Sequence, residues 1–266
     1  MNMKVDLCGV TLNNPVMTAS GTFGSGAEYA EFVDLNKLGA VVTKGVANVP
    51  WPGNPTPRVA EVYGGMLNAV GLQNPGIDLF VERDIPFLKQ FDTKIMVNVC
   101  GHSTEEYIEV VERLSDQPVD LLEINISCPN VKEGGIAFGQ DPKAVEAITK
   151  EMKKHAAQPV IMKLSPNVTD ITEMARAAEA GGADGLSLIN TITGMKIDIN
   201  RQKFVLANKT GGMSGPAIHP VAVRMVYQTA QAVRLPIVGM GGIMNAEDAI
   251  EMILAGATAV SVGTAN

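Results

Sequence analysis

Six short apolar segments of the sequence each end in a residue whose side chain can donate or accept hydrogen bonds. These residues are Ser20, Lys44, Asn98, Asn125, Lys163 and Asn190. The set combines ammonium groups with carboxamides, which offer both donors and acceptors. Because the carboxyl ends of parallel strands meet on one side of a sheet, these side chains predict a common binding or catalytic site.

The fourth of these segments continues into the polar loop Asn125-Ile126-Ser127-Cys128-Pro129-Asn130. The thiol of Cys128 can act there as a base or a nucleophile if neighbouring dipoles or cations lower its pKa. An isolated cysteine is more often a small buried apolar residue, and this is the role that we expect for Cys8 and Cys100. The polar neighbours of Cys128 favour chemistry at this position.

A carboxylate is expected one layer beneath these polar groups. Alternation along the fourth segment places Glu123 on the same face as Asn125. A carboxylate in that position needs a cation, and Lys163 on the next segment is the expected partner.

Glycines cluster after the last two apolar segments. Gly241-Gly242 and Gly263-Thr264 follow these segments, and Gly211-Gly212 and Ser214-Gly215 precede a predicted helix. Loops after the seventh and eighth strands of a (β/α)₈ barrel are a recurrent phosphate site, because bare backbone N–H groups can approach an anion there. This placement favours a phosphate site over ordinary turns, with FMN or a phosphorylated sugar as the ligand.

The elements that carry these residues alternate between short apolar runs and amphipathic stretches. The predicted strands are Val16–Ser20, Ala40–Lys44, Ile95–Val99, Leu121–Ile126, Pro159–Leu164, Gly185–Ile189, Pro236–Met240 and Ala259–Gly263. The predicted helices lie near 27–37, 78–90, 103–115, 141–155, 169–180, 219–233 and 245–255. Eight strands with seven helices predict a (β/α)₈ TIM barrel, an α/β fold, in one domain over residues 1–266. An open doubly wound sheet is the alternative, but its glycine fingerprint is matched only in part by Ser20–Gly24.

Three further features complete the predicted barrel. The long connections 45–77 and 190–218 are expected to lie over its mouth, and a hairpin of Lys4–Leu7 and Val10–Leu12 is expected to close its bottom. The sequence ends at Asn266, three residues after the eighth strand. We therefore expect a barrel without its eighth helix, with apolar surface left uncovered on one side.

Composition excludes several classes of function. The formal net charge of −7 argues against nucleic acid or an anionic membrane as the main partner. No apolar run has the length of a membrane span, and the N-terminus does not resemble a signal peptide. The three cysteines are widely spaced, and His102, His155 and His219 show no partner spacing, so no metal site is predicted. This cysteine usage suits a reducing cytosol and predicts a cytoplasmic protein.

Several motifs together resemble the class 1 dihydroorotate dehydrogenases. They are the Asn125–Asn130 loop, Thr43-Lys44-Gly45, Asn68-Ala-Val-Gly-Leu72-Gln-Asn74, Lys163-Leu-Ser-Pro166, Asn190-Thr191, Gly241-Gly242-Ile243 and Gly263-Thr264. The resemblance runs from Val5 to Asn266. Class 2 enzymes differ, because they carry serine at the position of Cys128 and have an N-terminal membrane-binding segment. Within class 1, the sequence motifs of this chain are most similar to those of the NAD-linked class 1B.

The resemblance implies a reaction and a role for each matching residue. Cys128 would remove the C5 proton of dihydroorotate while a hydride leaves C6 for N5 of FMN, giving orotate in the de novo synthesis of UMP. Lys44 would lie between flavin and substrate, and Lys163 would lie near flavin N1. The implied substrate-binding residues are Lys44, Asn68, Ala69, Val70, Gly71, Leu72, Asn125, Asn130, Asn190 and Thr191. The implied FMN-binding residues are Ser20, Lys44, Gly45, Asn98, Asn125, Lys163, Ile189, Gly215, Gly241, Gly242, Gly263 and Thr264.

The resemblance also implies a partner, and alternatives stay open. In class 1B a homodimeric barrel core pairs with subunits that carry FAD and a 2Fe-2S cluster and pass electrons to NAD⁺. The alternatives are a fumarate-linked class 1A enzyme, the barrel domain of a dihydropyrimidine dehydrogenase, a Schiff-base lyase using Lys163, and a non-catalytic scaffold.

Overall fold

Eight parallel strands close into a barrel in the computed structural model, which describes residues 2–127, 132–133 and 136–266. The strands are β1 (Val16–Thr18), β2 (Ala40–Val42), β3 (Lys94–Val99), β4 (Leu121–Asn125), β5 (Val160–Lys163), β6 (Gly185–Leu188), β7 (Ile237–Met240) and β8 (Ala259–Val262). Each strand pairs with its neighbours in chain order, and β8 returns to β1 through Val260 opposite Val16. The barrel confirms the predicted fold class, and every predicted strand is present within two residues at either end.

Helices cover the outside of the barrel. They are α1 (Ile77–Leu79 and Ile85–Leu88, joined by the π-helical turn Phe80–Asp84), α2 (Thr104–Ser115), α3 (Pro142–His155), α4 (Ile171–Ala180), α5 (His219–Ala232) and α6 (Ala246–Leu254). Buried residues recur on α2 at Tyr107, Val110, Val111 and Leu114, which is the stripe that packs an amphipathic helix onto a sheet. In the described part of the chain, no helix has both the length and the apolar character needed to cross a bilayer.

The predicted helix over 27–37 is wrong. This segment forms two separate 3₁₀ turns, Tyr29–Glu31 and Leu35–Lys37. The Asp34 carboxylate accepts the N–H of Asn36 and so starts the second turn instead of continuing a helix. Further 3₁₀ turns lie at Phe138–Gln140 and Pro216–Ile218.

The two long connections, 45–77 and 190–218, contain strands that the sequence analysis did not predict. They form a four-stranded antiparallel sheet in the order Ile192–Met195, Thr210–Ser214, Gly65–Asn68 and Val59–Val62, which we call the mouth sheet. Two short strand pairs accompany it, Ile197–Asp198 with Lys203–Phe204 and Lys132–Glu133 with Ile136–Ala137. The mouth sheet joins the chain after β2 to the chain after β6.

The N-terminal hairpin closes the bottom of the barrel, as predicted. Its strands are Val5–Leu7 and Val10–Leu12. Leu7 and Leu12 are fully buried and pack with interior residues at the amino ends of the strands, including Ala40, Leu121 and Ala259. The hairpin therefore supplies the lowest layer of the barrel core.

Shortening a buried side chain of the N-terminal hairpin should destabilise the whole fold. We expect Leu12→Ala to lower the free energy of unfolding by about 2–5 kcal/mol, because it removes buried methyl groups and leaves a cavity. The neighbouring Thr11→Ala, which changes an exposed side chain, is the matched control and should cost less than about 0.5 kcal/mol. Urea unfolding measures both, and equal midpoints for the two variants would contradict the assigned role of the hairpin.

Candidate functional site

A cavity of about 500 Å³ lies between the carboxyl ends of the barrel strands and the mouth sheet. This volume is within the range of roughly 300–1,000 Å³ that is usual for small-molecule sites. The predicted site residues that line it are Ser20, Lys44, Gly45, Asn68, Ala69, Val70, Gly71, Leu72, Asn125, Lys163, Ile189, Asn190, Thr191, Gly241, Gly242, Gly263 and Thr264. Asn98 and Gly215 are not in the lining, and Cys128 and Asn130 lie outside the described residues.

A buried ion pair forms the floor of the site. The Nζ atom of Lys163 lies 3.5 Å from Oε2 of Glu123, and both side chains are almost fully buried. The Glu123 carboxylate also accepts hydrogen bonds from Asn98 Nδ2 at 2.5 Å and from Ser187 Oγ at 2.7 Å. Lys163 Nζ in turn donates to Ser20 Oγ at 3.2 Å. The predicted pairing of Glu123 with Lys163 is confirmed, and Asn98 acts one layer below the cavity as a donor to the carboxylate.

A row of carboxamides continues upward from this floor. Asn125 Nδ2 donates to Asn98 Oδ1 at 3.3 Å, and Ser127 Oγ donates to Asn125 Oδ1 at 2.8 Å. The Asn190 carboxamide donates to Ser127 Oγ, while its own oxygen accepts the N–H of Thr191 at 2.8 Å. Residues from β4 and from the segment after β6 are thereby fixed relative to one another.

The mouth sheet and the loop after β5 contribute further polar groups, of which Asn68 was predicted and Asn167 was missed. Asn68, at the end of its sheet strand, donates to the carbonyl of Gly212 at 3.4 Å. The Asn167 carboxamide donates to the Thr191 carbonyl at 3.0 Å and accepts the N–H of Thr193 at 2.9 Å. Asn167 follows Lys163 by four positions, so a wider window after each strand could have found it.

Glycines after β7 and β8 form an anion cradle, defined here as Gly215, Gly242, Gly263 and Thr264. In the described part of the chain, the backbone N–H groups of Gly242, Gly263 and Thr264 donate no hydrogen bond to a backbone carbonyl. Gly215 has φ +103°, and a Cβ added there would lie 2.6 Å from Gly65 Cα. Gly242 has φ +70°, and a Cβ there would lie 2.8 Å from the Gly215 carbonyl oxygen. Free N–H groups on a backbone that only glycine adopts are typical of a phosphate site.

The Gly211-Gly212 pair serves a different purpose from the one predicted. These glycines lie inside a strand of the mouth sheet, where Gly211 pairs with Gly194 and Gly212 pairs with both Thr193 and Asn68. A Cβ on Gly212 would fall 1.9 Å from Thr191 Oγ1. They are therefore required for close packing of the sheet over the cavity, although both line it.

Cys8 and Cys100 do not line the cavity. Cys8 belongs to the hairpin at the barrel bottom, where burial, Asp184 and Asp6 raise its pKa to about 12. Cys100 is fully buried beyond the end of β3. Neither thiol is placed to act on a ligand in the cavity, in agreement with the structural role expected for both.

The fold places the protein among the (β/α)₈-barrel proteins, and the position of the cradle matches the recurrent phosphate site of this class. Within this class, the model of the dihydroorotate dehydrogenase family matches residues 2–266, and the chain belongs to this family. The family is flavin-dependent.

Relatives are similar to this chain over its full length. The catalytic subunit of dihydroorotate dehydrogenase B (NAD⁺) from Lachnoclostridium phytofermentans is 76% identical over 266 residues, covering 100% of this chain and 89% of the relative. The proteins of the same description from Alkaliphilus metalliredigens and Geobacter sulfurreducens are 68% and 58% identical, and the match covers 88% and 87% of their lengths. The words "catalytic subunit" imply that these relatives act with a further subunit.

The ion pair at the floor of the site can be tested by a double-mutant cycle. We expect Lys163→Met to cost about 3–5 kcal/mol of unfolding free energy, because it leaves the Glu123 carboxylate buried without a cation. The double variant Glu123→Gln/Lys163→Met should recover stability and reveal a coupling of about 1–3 kcal/mol. Urea unfolding of the ligand-free protein measures the cycle, and strictly additive effects would show that the two side chains do not interact.

Proposed function

We propose that the protein oxidises dihydroorotate to orotate in de novo pyrimidine biosynthesis, with FMN bound in the cavity. The observation that carries this proposal is one cavity in which an anion cradle after β7 and β8 faces the same space as carboxamides after β4 and β6. The cradle suits the phosphate of FMN, and the carboxamides suit a ring that carries both N–H and carbonyl groups. The similarity to the NAD⁺-linked catalytic subunits supports the same reaction.

The residues of the cavity fit a flavin mononucleotide. The unpartnered N–H groups of Gly242, Gly263 and Thr264 would bind the phosphate oxygens. The ammonium of Lys163, held between Glu123 and Ser20, would place positive charge beside the flavin ring near N1. The remaining expected contacts are Lys44, Gly45, Asn98, Asn125, Ile189, Gly215 and Gly241. When bound, FMN supplies the acceptor for the hydride that leaves C6 of the substrate.

The carboxamides and the mouth sheet would hold the substrate. Asn68, Asn125, Asn190 and Thr191 would bind the pyrimidine amides and the carboxylate, together with Asn130. The backbone of 69–72 would line the same space, and the ammonium of Lys44 would lie between substrate and flavin. Fixed donors and acceptors on several separate elements would orient the C5 and C6 positions for reaction.

Cys128 is the proposed base that takes the proton from C5. Its neighbour Ser127 is buried against the cavity and hydrogen-bonds to both Asn125 and Asn190. The loop that carries Cys128 therefore leaves β4 from an anchored position in the cavity wall. Cys8 cannot replace it, because its thiol lies at the other end of the barrel and its pKa is about 12.

Electron transfer beyond the flavin would follow the NAD-linked class 1B. We propose a core of two barrel subunits with partner subunits that carry FAD and a 2Fe-2S cluster and deliver electrons to NAD⁺. The three relatives named above are catalytic subunits of the NAD⁺-linked enzyme, which favours this assignment over the fumarate-linked class 1A. Copurification of an FAD and iron–sulfur subunit tests the assignment, and reduction of fumarate by the barrel alone would contradict it.

A Schiff-base lyase is less consistent with the site. A lysine that attacks a carbonyl must be a neutral amine with room to form the new bond. Lys163 is instead ion-paired with the buried Glu123 and bonded to Ser20. Its surroundings favour a fixed positive charge.

The proposed reaction predicts a coloured protein with one essential thiol. The purified protein should show a flavin spectrum that dihydroorotate bleaches under anaerobic conditions. Cys128→Ala should retain flavin and lose about 10²–10⁴-fold in turnover, because general-base catalysis contributes that much. Cys8→Ser is the matched control and should turn over like the wild type. A colourless wild-type protein, or a Cys128→Ala variant with unchanged turnover, would overturn the proposal.

The anion cradle predicts a specific backbone requirement. We expect Gly242→Ala to weaken FMN binding by at least about tenfold, because a strained backbone position costs on the order of 1–3 kcal/mol. Gly182→Ala is the matched control, since Gly182 also has a positive φ (+89°), yet its added Cβ would meet no atom closer than 3.9 Å. Fluorescence titration of the ligand-free variants with FMN measures the difference. Equal affinities would exclude the cradle as the phosphate site.

A further inference from the structure

His219 connects the anion cradle to the outer helices, although the sequence showed no partner for it. It is the first residue of α5, and its side chain is about 90% buried. Its Nδ1 lies 2.8 Å from the carbonyl oxygen of Gly241, and its Nε2 lies 3.1 Å from Oε2 of Glu251. This partner lies 32 positions away on α6, so no spacing within the sequence indicates it.

Both groups that face the imidazole ring are acceptors. A neutral imidazole has one N–H and can donate to only one of them, whereas the imidazolium ion donates to both. In the described residues, the carboxylates with an oxygen within 4.0 Å of Nε2 are those of Glu251 and Asp248, both on α6. Neither the glycine turn nor α4 supplies an ion pair to it within this part of the chain. Only the imidazolium form can therefore donate to the Gly241 carbonyl and to Glu251 at the same time.

The hydrogen bond to Gly241 acts on the cradle through a single peptide group. In a trans peptide the C=O and the next N–H point in opposite directions. The Gly241 carbonyl faces His219, so the N–H of Gly242 points away from the ring. Gly242 lines the cavity, and no described residue accepts this N–H. A charged donor on the carbonyl polarises the peptide and makes its N–H a stronger donor to an anion.

We propose that His219, held as an imidazolium by Glu251 and Asp248, is a positioning residue for the phosphate of the bound cofactor. It orients and polarises the Gly241–Gly242 peptide and places a positive charge behind the cradle. The proposal rests on FMN as the ligand. Since its effect is directed at the phosphate, it strengthens binding of FMN and leaves binding of riboflavin, which has the same ring system without phosphate, nearly unchanged.

The experiment compares FMN and riboflavin as ligands of the flavin-free full-length protein. Fluorescence titrations give both dissociation constants for the wild type, His219→Gln and Glu251→Gln. Glutamine at 219 keeps a neutral donor, whereas Glu251→Gln keeps the histidine and removes its anionic partner. We expect FMN affinity to fall by about five- to tenfold in both variants, with a change below about twofold for riboflavin, because a charged donor is about twice as strong as a neutral one.

The protein contains a matched control for the loss of a histidine. His155 lies at the end of α3, and its Nδ1 is 2.7 Å from Glu112 and its Nε2 3.7 Å from Glu151, so it is also held between acidic groups. Unlike Gly241 and Gly242, it is not among the described residues that line the cavity. His155→Gln should leave the ratio of FMN to riboflavin affinity at the wild-type value, and thermal unfolding verifies that every variant is folded.

Two results would overturn the proposal. Equal losses for FMN and riboflavin in His219→Gln would show that the histidine only supports the local fold. An unchanged FMN affinity in this variant would exclude any effect of the histidine on the phosphate. A wild-type protein that does not bind FMN would contradict the proposed function itself, and this result is distinguishable from the two above. Inorganic phosphate added as a competitor is a second probe, and its inhibition constant should rise in His219→Gln and not in His155→Gln.

Discussion

The buried carboxylate of Glu123 is the group on which the geometry of the cavity depends. A charge in the centre of a barrel is tolerated only when donors and a cation surround it, since an uncompensated one costs several kcal/mol. Donors from β3, β5 and β6 converge on this one side chain of β4. The ammonium of Lys163 is therefore held at a fixed place in the ring.

The same carboxylate sets the orientation of the amides above it. Because Asn98 donates its N–H to Glu123, its oxygen faces Asn125, which must then donate to it. The Asn125 oxygen accepts from Ser127, and the Ser127 oxygen accepts from Asn190. Once the hydrogen bond of one group is fixed, the next group in the row can take only one role, as donor or as acceptor, toward it. A ligand entering the cavity thus meets donors and acceptors whose positions are ordered from the barrel axis outward.

Much of the barrel and of its polar floor could be predicted from the sequence. Eight apolar runs, six of them with polar side chains at their ends, are expected for strands covered by helices, and the two-residue period placed Glu123 beneath Asn125. The mouth sheet could not be predicted, because Thr210–Ser214 is glycine-rich and one of the two strands it pairs with lies about 145 positions earlier. His219 and Ser187 were missed for the same reason. Their partners come from other elements, and no local spacing reveals them.

Sequence pattern alone also could not identify the substrate. A phosphate cradle and a lysine fit several barrel chemistries, and Asn125, Asn190 and Lys163 do not by themselves distinguish a pyrimidine from a sugar. The resemblance of whole motifs supplied the pyrimidine, and the family match supports it. The structure adds the hydrogen bonds that connect Glu123, through Asn98 and Asn125, to the polar groups of the cavity wall.

The mouth sheet also ties together two connections that are remote in the chain. Residues 66–68 pair with residues 212–214, so the roof of the cavity is one hydrogen-bonded unit built from both. Neither connection can lift without breaking backbone hydrogen bonds to the other. Changes in access to the cavity therefore involve the roof as a whole. An insertion in one connection will also alter the ligand contacts that the other connection makes.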